Sequence, residues 1–350
     1  LLKSPLDSLH RRLGARMVPF AGYEMPLQFD GIIAEHLACR HEAALFDVSH
    51  MGQATVTDVA GFESLVTGDV KGLRPGRQRY TLLPNAAGGI IDDLMVARLG
   101  DTLQLVLNAG RKHVDVAHLA AHGVPVTTKF ERALLALQGP KAAAMLPEAA
   151  AMKFMDAATC EVAGLGCIVT RSGYTGEDGF EIGCAAGDAE ALAETLLGRG
   201  AVPAGLGARD SLRLEAGLCL YGSDIDETTN PVAANLTWAI GKRRKIAWDF
   251  LGAAAVRDML DNGASEKLVG IRLDGRAPAR AGAVIRNGAG ATIGRVTSGL
   301  FSPSLNAPIA LAYVRADCAA DGTELALIVR DRPLPGVVTS LPFIPHRYVR

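Results

Sequence analysis

The chain has no excess of charge of either sign: 36 basic side chains stand against 37 acidic ones, a net charge of −1 over 350 residues. No overall field favours nucleic acid or an anionic membrane as partner, so charged recognition has to be local. No apolar run approaches the roughly 20 residues a membrane span needs, and no charged segment leads into an apolar one at the start of the chain. The six cysteines, Cys39, Cys160, Cys167, Cys184, Cys219 and Cys318, show no CxxC spacing. That argues against a zinc site or a disulfide framework and suits a reducing compartment. A soluble cytoplasmic protein is expected, or one of the mitochondrial matrix if a leader has been removed.

Several catalytic signatures are missing too. There is no GxxxxGK[ST] phosphate loop and no GxSxG elbow. His41-Glu42-Ala43-Ala44-Leu45 begins like HExxH but ends in leucine, so it lacks the second metal ligand and reads as helix surface. Gly288-Ala289-Gly290-Ala291-Thr292-Ile293-Gly294 is one residue too long for GxGxxG and sits among strand-like runs, which predicts a hairpin turn. No cysteine has the polar neighbours of a nucleophile, and no fixed-period repeat is present.

What is present is enough apolar material, 49% of residues, for two or three domains. Ile33, Leu37 and Leu45 fall near helical spacing and predict an amphipathic helix over 31–45. Short strands at 94–97 and 103–107 with a helix over 111–122 predict an α+β layer. Further helices are predicted from Asp188, as N-cap, to Gly198, as C-cap, and over roughly 208–220. After the polar stretch 261–267, the runs 268–271, 325–329 and 335–338 predict a separate C-terminal β domain. The expected division is a region 1–260, itself two domains, and a β domain over 268–350.

Two segments carry most of the functional information. In Arg171-Ser172-Gly173-Tyr174-Thr175-Gly176-Glu177-Asp178-Gly179-Phe180-Glu181-Ile182, glycines every third residue permit sharp turns and close approach to a ligand. The segment also presents a tyrosine and several carboxylates; a plain hairpin loop with an acidic face is the alternative. The second segment runs from Ala208-Arg209-Asp210-Ser211-Leu212-Arg213-Leu214-Glu215 to Tyr221-Gly222, then Ser223-Asp224-Ile225-Asp226-Glu227-Thr228-Thr229-Asn230-Pro231. Together they resemble the T-protein of the glycine cleavage system, the tetrahydrofolate-dependent aminomethyltransferase family. Phe46-Asp47-Val48-Ser49-His50-Met51, Gly88-Gly89-Ile90-Ile91-Asp92-Asp93-Leu94, Val296-Thr297-Ser298-Gly299 and Ser302-Pro303-Ser304-Leu305 agree with the same family, in order along the chain.

The resemblance implies an α+β, three-domain, cloverleaf-like architecture around a central folate cavity, with a C-terminal β-barrel-like domain. It implies transfer of an aminomethyl group from the lipoyl arm of H-protein to tetrahydrofolate, giving 5,10-methylenetetrahydrofolate, ammonia and dihydrolipoyl H-protein. Tetrahydrofolate is the acceptor co-substrate; no metal, nucleic acid or membrane is called for. Strand alternation lets only one of Asp92 and Asp93 face a cavity, and the family match assigns the reacting position to Asp93. A turn-capping role for both is the plain alternative. The resemblance also places Met51, Tyr80, Asn108, Tyr174, Glu181 and Arg209 around the folate. Glu181 is expected to accept from the pterin's N–H donors, and Arg209 to meet the carboxylate tail.

Other residues read differently. Glu177 and Asp178, in the loop's glycine-rich turn, are either weaker ligand candidates than Glu181 or acceptors for backbone N–H groups of their own turn. Arg213, four residues from Arg209, pairs internally with Asp210 or Glu215 on the plain reading. His50 reads as a satisfied structural histidine, and Asn108 as a turn residue if it is not a ligand. His346-Arg347-Tyr348 departs from the family pattern and is given no ligand role. Lys242-Arg243-Arg244-Lys245 is either a solvated positive face or a docking point for the acidic H-protein that the resemblance implies. Two alternatives of other function stay open. One is a folate-dependent demethylase of the same fold. The other is a non-catalytic folate-binding iron–sulfur assembly protein, which is marked by a cysteine-containing KGCYxGQE-like loop where this chain has Ser172-Gly173-Tyr174-Thr175-Gly176-Glu177-Asp178.

Overall fold

The structure, a computed structural model, describes residues 1–350. It is α+β. A six-stranded sheet runs Ala157–Val162, Leu165–Thr170, Gly179–Cys184, Ala133–Gln138, Ala44–Asp47 and Val202–Ala204, antiparallel except for its last pair. A five-stranded antiparallel sheet runs Arg77–Pro84, Ile90–Leu99, Thr102–Leu107, Gly52–Val56 and Thr127–Thr128. A small sheet of Leu2–Lys3, Tyr23–Gln28 and Arg16–Phe20 lies at the N-terminus. The last part is a closed six-stranded barrel, Glu266–Leu273, Ala307–Arg315, Thr292–Ser302, Val284–Arg286, Glu324–Val329 and Arg332–Thr339, the final strand pairing back onto the first. Closure leaves the barrel no free edge.

Alternation along each strand divides its residues between a helix-covered core and an opposite face. On the six-stranded sheet, Leu135, Leu137, Val169, Phe180 and Ile182 pack with Leu192 and Leu196 of the Ala189–Gly198 helix. On the five-stranded sheet, Leu94, Val96, Leu103 and Leu105 pack with Leu119 of the Lys112–Ala121 helix. The opposite faces of the two sheets line one cavity between them.

Three boundaries differ from the sequence expectation. The predicted 31–45 helix is Ile32–His41, and Ala44–Asp47 is a fully buried central strand bonded to Ala133–Gln138 on one side and Val202–Ala204 on the other. Four consecutive buried apolar or acidic residues carry no period that separates the two readings. The predicted 208–220 helix is Leu206–Glu215, stopped by Gly217 at φ 67°. Asp188 makes no side-chain cap, and Gly198 is the last helical residue rather than the cap. The 288–294 segment is the hairpin between Val284–Arg286 and Thr292–Ser302, as its spacing implied.

Candidate functional site

Register builds one wall of the cavity. Tyr80, Met95, Val106 and Gln53 form one cross-strand row of the five-stranded sheet, and Gln78, Ala97 and Gln104 form the next. Asp93 shares the parity of Met95 and so points to the same side, while Asp92 points to the helix-covered core. The other wall comes from Thr170, Glu181, Leu134 and Gly183 of the six-stranded sheet. Asp92 is fully buried, whereas Met51, Tyr80, Asp93, Asn108, Tyr174, Glu181 and Arg209 are all partly exposed. That is the burial of side chains lining a recess rather than filling a core.

Asp93 is held from below. Asn108 Nδ2 donates to Asp93 Oδ1 at 2.8 Å and to its carbonyl at 2.9 Å. Burial and the neighbouring Asp92 push the Asp93 carboxyl up to about 7, against hydrogen bonds from Tyr80 and Asn108. A carboxyl that gains and loses its proton near neutral pH suits acid–base work on an amine. Tyr80 extends outward from Asp93 and stacks on Trp238, ring centres 5.1 Å apart, with Trp238 61% exposed.

The 171–179 loop reaches the site from the opposite sheet. A Cβ on Gly173 would lie 1.8 Å from Gln138 Oε1, and one on Gly179 would lie 2.3 Å from the Leu137 carbonyl. Gly176 has φ +78°. Gly173 and Gly179 therefore let the loop lie tightly against the Ala133–Gln138 strand. Tyr174 donates its hydroxyl proton to the Cys219 carbonyl, and the Arg209 guanidinium lies 4.7 Å from its ring centre. Arg209 Nη1 is buried with no hydrogen-bond partner. Glu181 is raised by burial, with Arg209 acting against it. Arg209 thus joins Tyr174 and Glu181 electrostatically and keeps a free donor.

Glu177 and Asp178 do not serve their own turn's N–H groups. Arg40 Nη1 donates to Glu177 at 2.9 Å, Arg347 approaches the same carboxylate at 3.3 Å, and Arg171 binds Asp178 through Nε and Nη2 at 2.9 and 2.6 Å. Arg213 is internal, and its buried partner is Asp224 at 2.7 Å, with Asp210 at 2.8 Å and Ser298 at 2.9 Å; Glu215 is bound elsewhere. His50 is not satisfied: it is buried and its Nδ1 has no partner. The basic run is broken up as well. Arg244 is buried against Glu63 and Asp249, and Arg243 pairs with Glu63 and Asp69, which leaves Lys242 and Lys245 of the four.

Sequence reasoning missed the three cavity-facing glutamines Gln53, Gln78 and Gln104, of which Gln104 Nε2 has no partner. A polar residue in the middle of Leu103-Gln104-Leu105-Val106-Leu107 reads as a solvent-facing position, unless a second sheet is known to cover that face.

The chain matches the family model of the GCVT N-terminal domain over residues 6–244 and that of the glycine cleavage T-protein C-terminal barrel domain over residues 266–344. It is 47% identical to a mitochondrial aminomethyltransferase of Gallus gallus and 41% identical to one of Dictyostelium discoideum, in each case over 99% of this chain and 94% of that protein. The crystal structure of the glycine cleavage system aminomethyltransferase T from Bartonella henselae superposes over the whole of both chains, with a TM-score of 0.95 at 43% identity. With two domain models covering most of its length and relatives of this identity along nearly all of it, the chain belongs to the glycine cleavage T-protein family of aminomethyltransferases.

Proposed function

We propose that the protein transfers the aminomethyl group of a lipoylated carrier protein, the H-protein of glycine cleavage, to tetrahydrofolate. The observation that carries this reading is the grouping of side chains from different elements, Asp93 with Tyr80 and Arg209 with Tyr174 and Glu181, with Glu181 lining the cavity between the two sheets. Their chemistries differ and match different parts of a reduced folate. Met95 and Val106 offer an apolar surface for a flat ring. Glu181 and the glutamine amides offer acceptors and donors for its edge, and the free Arg209 donor offers a partner for a carboxylate. Residues 1–260 are taken as the folate-handling region and 268–350 as the β domain. A reducing compartment, matrix or cytoplasm, suits six unpaired cysteines.

In this reading the folate amine attacks the aminomethyl carbon as the carbon–sulfur bond breaks. Ammonia then leaves as the second folate nitrogen closes the methylene bridge. The two hydrogens lost by the folate nitrogens end on the sulfur and on the departing ammonia, so the step needs no oxidant. Asp93 holds or accepts the amine proton, and its charge stabilises the iminium-like carbon. The 172–178 loop carries no cysteine.

Calorimetric titration tests the folate contacts. Arg209→Ala and Glu181→Ala each weaken tetrahydrofolate binding at least roughly tenfold, because loss of a charged hydrogen bond costs about 1.5–3 kcal/mol. Unchanged affinity in either variant removes that residue from the site.

Donor docking is assigned to the face that carries Lys242 and Lys245 with the exposed Trp238 and Ile246. Replacing both lysines by glutamine raises the KM for the lipoyl carrier about two- to thirtyfold, taking about 0.2–1 kcal/mol per exposed charge, and flattens its salt dependence. An unchanged KM at low ionic strength returns these lysines to a solvated face.

A further inference from the structure

The chain beyond the last barrel strand takes no part in the chemistry above, yet it leaves the barrel and binds two elements of the site. Leu341 and Pro342 lie against Gly217, where an added Cβ would stand 3.2 Å from Leu341 Cβ and 3.3 Å from Pro342 Cα. Ile344 donates its backbone N–H to the Glu215 carbonyl at 3.0 Å, and His346 donates from Nε2 to the Ala216 carbonyl at 2.8 Å. Both carbonyls lie at the end of the Leu206–Glu215 helix, which carries Arg209 and leaves its last acceptors without an internal partner.

The same segment then reaches the Tyr174 loop. Arg347 donates its backbone N–H to the Gly176 carbonyl at 2.8 Å, and its guanidinium lies 3.3 Å from Glu177. Tyr348 stacks on Phe154, ring centres 4.0 Å apart and planes 5° from parallel, while Phe154 donates its N–H to the Val349 carbonyl at 2.7 Å. Helix and loop exchange no backbone hydrogen bond directly. Arg40 joins them with its guanidinium, bonded to the Thr175 carbonyl, Glu177 and Glu215, and the Tyr174 hydroxyl reaches the Cys219 carbonyl just beyond the helix. Residues 344–347 add a link through their own backbone.

We propose that residues 344–349 are a positioning strap: by binding the helix end and the loop at once they fix Tyr174 relative to Arg209, whose guanidinium lies 4.7 Å from the ring centre, and so set the affinity for reduced folate. None of them touches the substrate. The inference rests on the reading of Tyr174 and Arg209 as folate contacts. Two groups from separate elements act on one ligand only while their spacing holds, and a shift of about 1 Å is enough to loosen such a site. The strap's bonds are ordinary ones, and the loop keeps its Arg40 contacts without them. Loss of the strap therefore weakens binding without abolishing it.

The test is calorimetric titration of the intact protein with tetrahydrofolate, with melting recorded for each variant. Arg347→Pro removes the N–H that the Gly176 carbonyl accepts, and Tyr348→Ala removes the stack on Phe154. Each raises Kd about three- to tenfold, the range of one lost hydrogen bond or ring contact. Arg347→Ala keeps the N–H and Tyr348→Phe keeps the ring, and both stay within about twofold of wild type. In a Tyr174→Ala background Tyr348→Ala costs less than about twofold, because the strap acts through Tyr174. Strap variants that bind as tightly as wild type, or that lose affinity equally with and without Tyr174, overturn the proposal. A merely structural segment would lower melting and show no such dependence on Tyr174. Should Arg347→Pro or Tyr348→Ala fail to fold, hydrogen exchange of the wild type decides. Coupling is reciprocal, so bound tetrahydrofolate slows exchange at the Arg347 and Phe154 amides and leaves the Gly290 amide of the barrel hairpin unchanged. Equal exchange with and without folate at the first two contradicts the strap. A wild type that binds no tetrahydrofolate, or a Tyr174→Ala variant that binds it as well as wild type, counts against the folate reading instead.

Discussion

Asp93→Asn lowers turnover about 10²-fold or more while tetrahydrofolate affinity stays within about threefold. The asparagine keeps the size of the side chain and a carbonyl oxygen for the Asn108 bond at 2.8 Å, so the recess is preserved. It removes both the negative charge and the capacity to exchange a proton near neutral pH, to which burial and Asp92 have raised the carboxyl. An effect confined to turnover marks a group that acts in the transition state more than in binding. Asp92→Asn, on the core side of the same strand, loses less than about tenfold at its own optimal pH. Equal losses in the two variants, measured by steady-state kinetics, would remove the distinction that strand alternation makes between them.

The second large effect is on stability. Glu215 of the Leu206–Glu215 helix is fully buried and accepts from Arg40 at 2.6 Å, Ser302 at 2.5 Å and Ser304 at 2.8 Å, with His36 at 3.2 Å. It joins the Ile32–His41 helix to the barrel strand Thr292–Ser302 and the turn after it. Glu215→Ala leaves Arg40 buried with Glu177 as its one anionic partner beside the Thr175 carbonyl and costs about 3–5 kcal/mol in denaturant unfolding. Glu190→Ala, which breaks an exposed pair with Arg12, costs at most about 1 kcal/mol. Comparable losses in the two would contradict the assignment of Glu215 as the tie between the N-terminal region and the barrel. The acid limb follows from the same contacts. Burial raises Glu215, and the bonds from His36 and Ser302 with the charge of Arg40 outweigh it and hold the carboxyl at about 2. Its folded value lies below its unfolded one, so its contribution is complete above about pH 4.3. That contribution is lost as the pH falls toward 2.

How much of this was legible beforehand depends on the kind of signal. The helix over Lys112–Ala121 and the strands over Ile90–Leu99 and Thr102–Leu107 follow from local periodicity, which needs no partner to be read. The barrel region showed as a change from helical to strand-like runs, but its closure is a pairing between Glu266–Leu273 and Arg332–Thr339, far apart in the chain. Ala44 and Leu45, the first half of the Ala44–Asp47 strand, fall inside the expected 31–45 helix because a fully buried strand shows no alternation.

At the site, alternation separated Asp93 from Asp92, while the identity of the ligand came from the family resemblance and not from any spacing. Tertiary ion pairs were the least legible. Arg40 with Glu177 and Arg171 with Asp178 turned an apparently solvated acidic loop into a clamped one, and Glu63 with Asp69 took up half of the basic run.

The central claim is the reaction itself, and a single-turnover assay tests it most directly. The protein is mixed with tetrahydrofolate and with lipoyl carrier protein loaded with the aminomethyl group by the glycine decarboxylase component, and 5,10-methylenetetrahydrofolate, ammonia and free carrier thiols are measured together. The account predicts methylenetetrahydrofolate and ammonia in equal amounts, only when folate, loaded carrier and protein are all present, and their loss with Asp93→Asn. Methylenetetrahydrofolate formed from an N-methyl donor in place of the lipoyl carrier, or folate bound with no transfer at all, would contradict it.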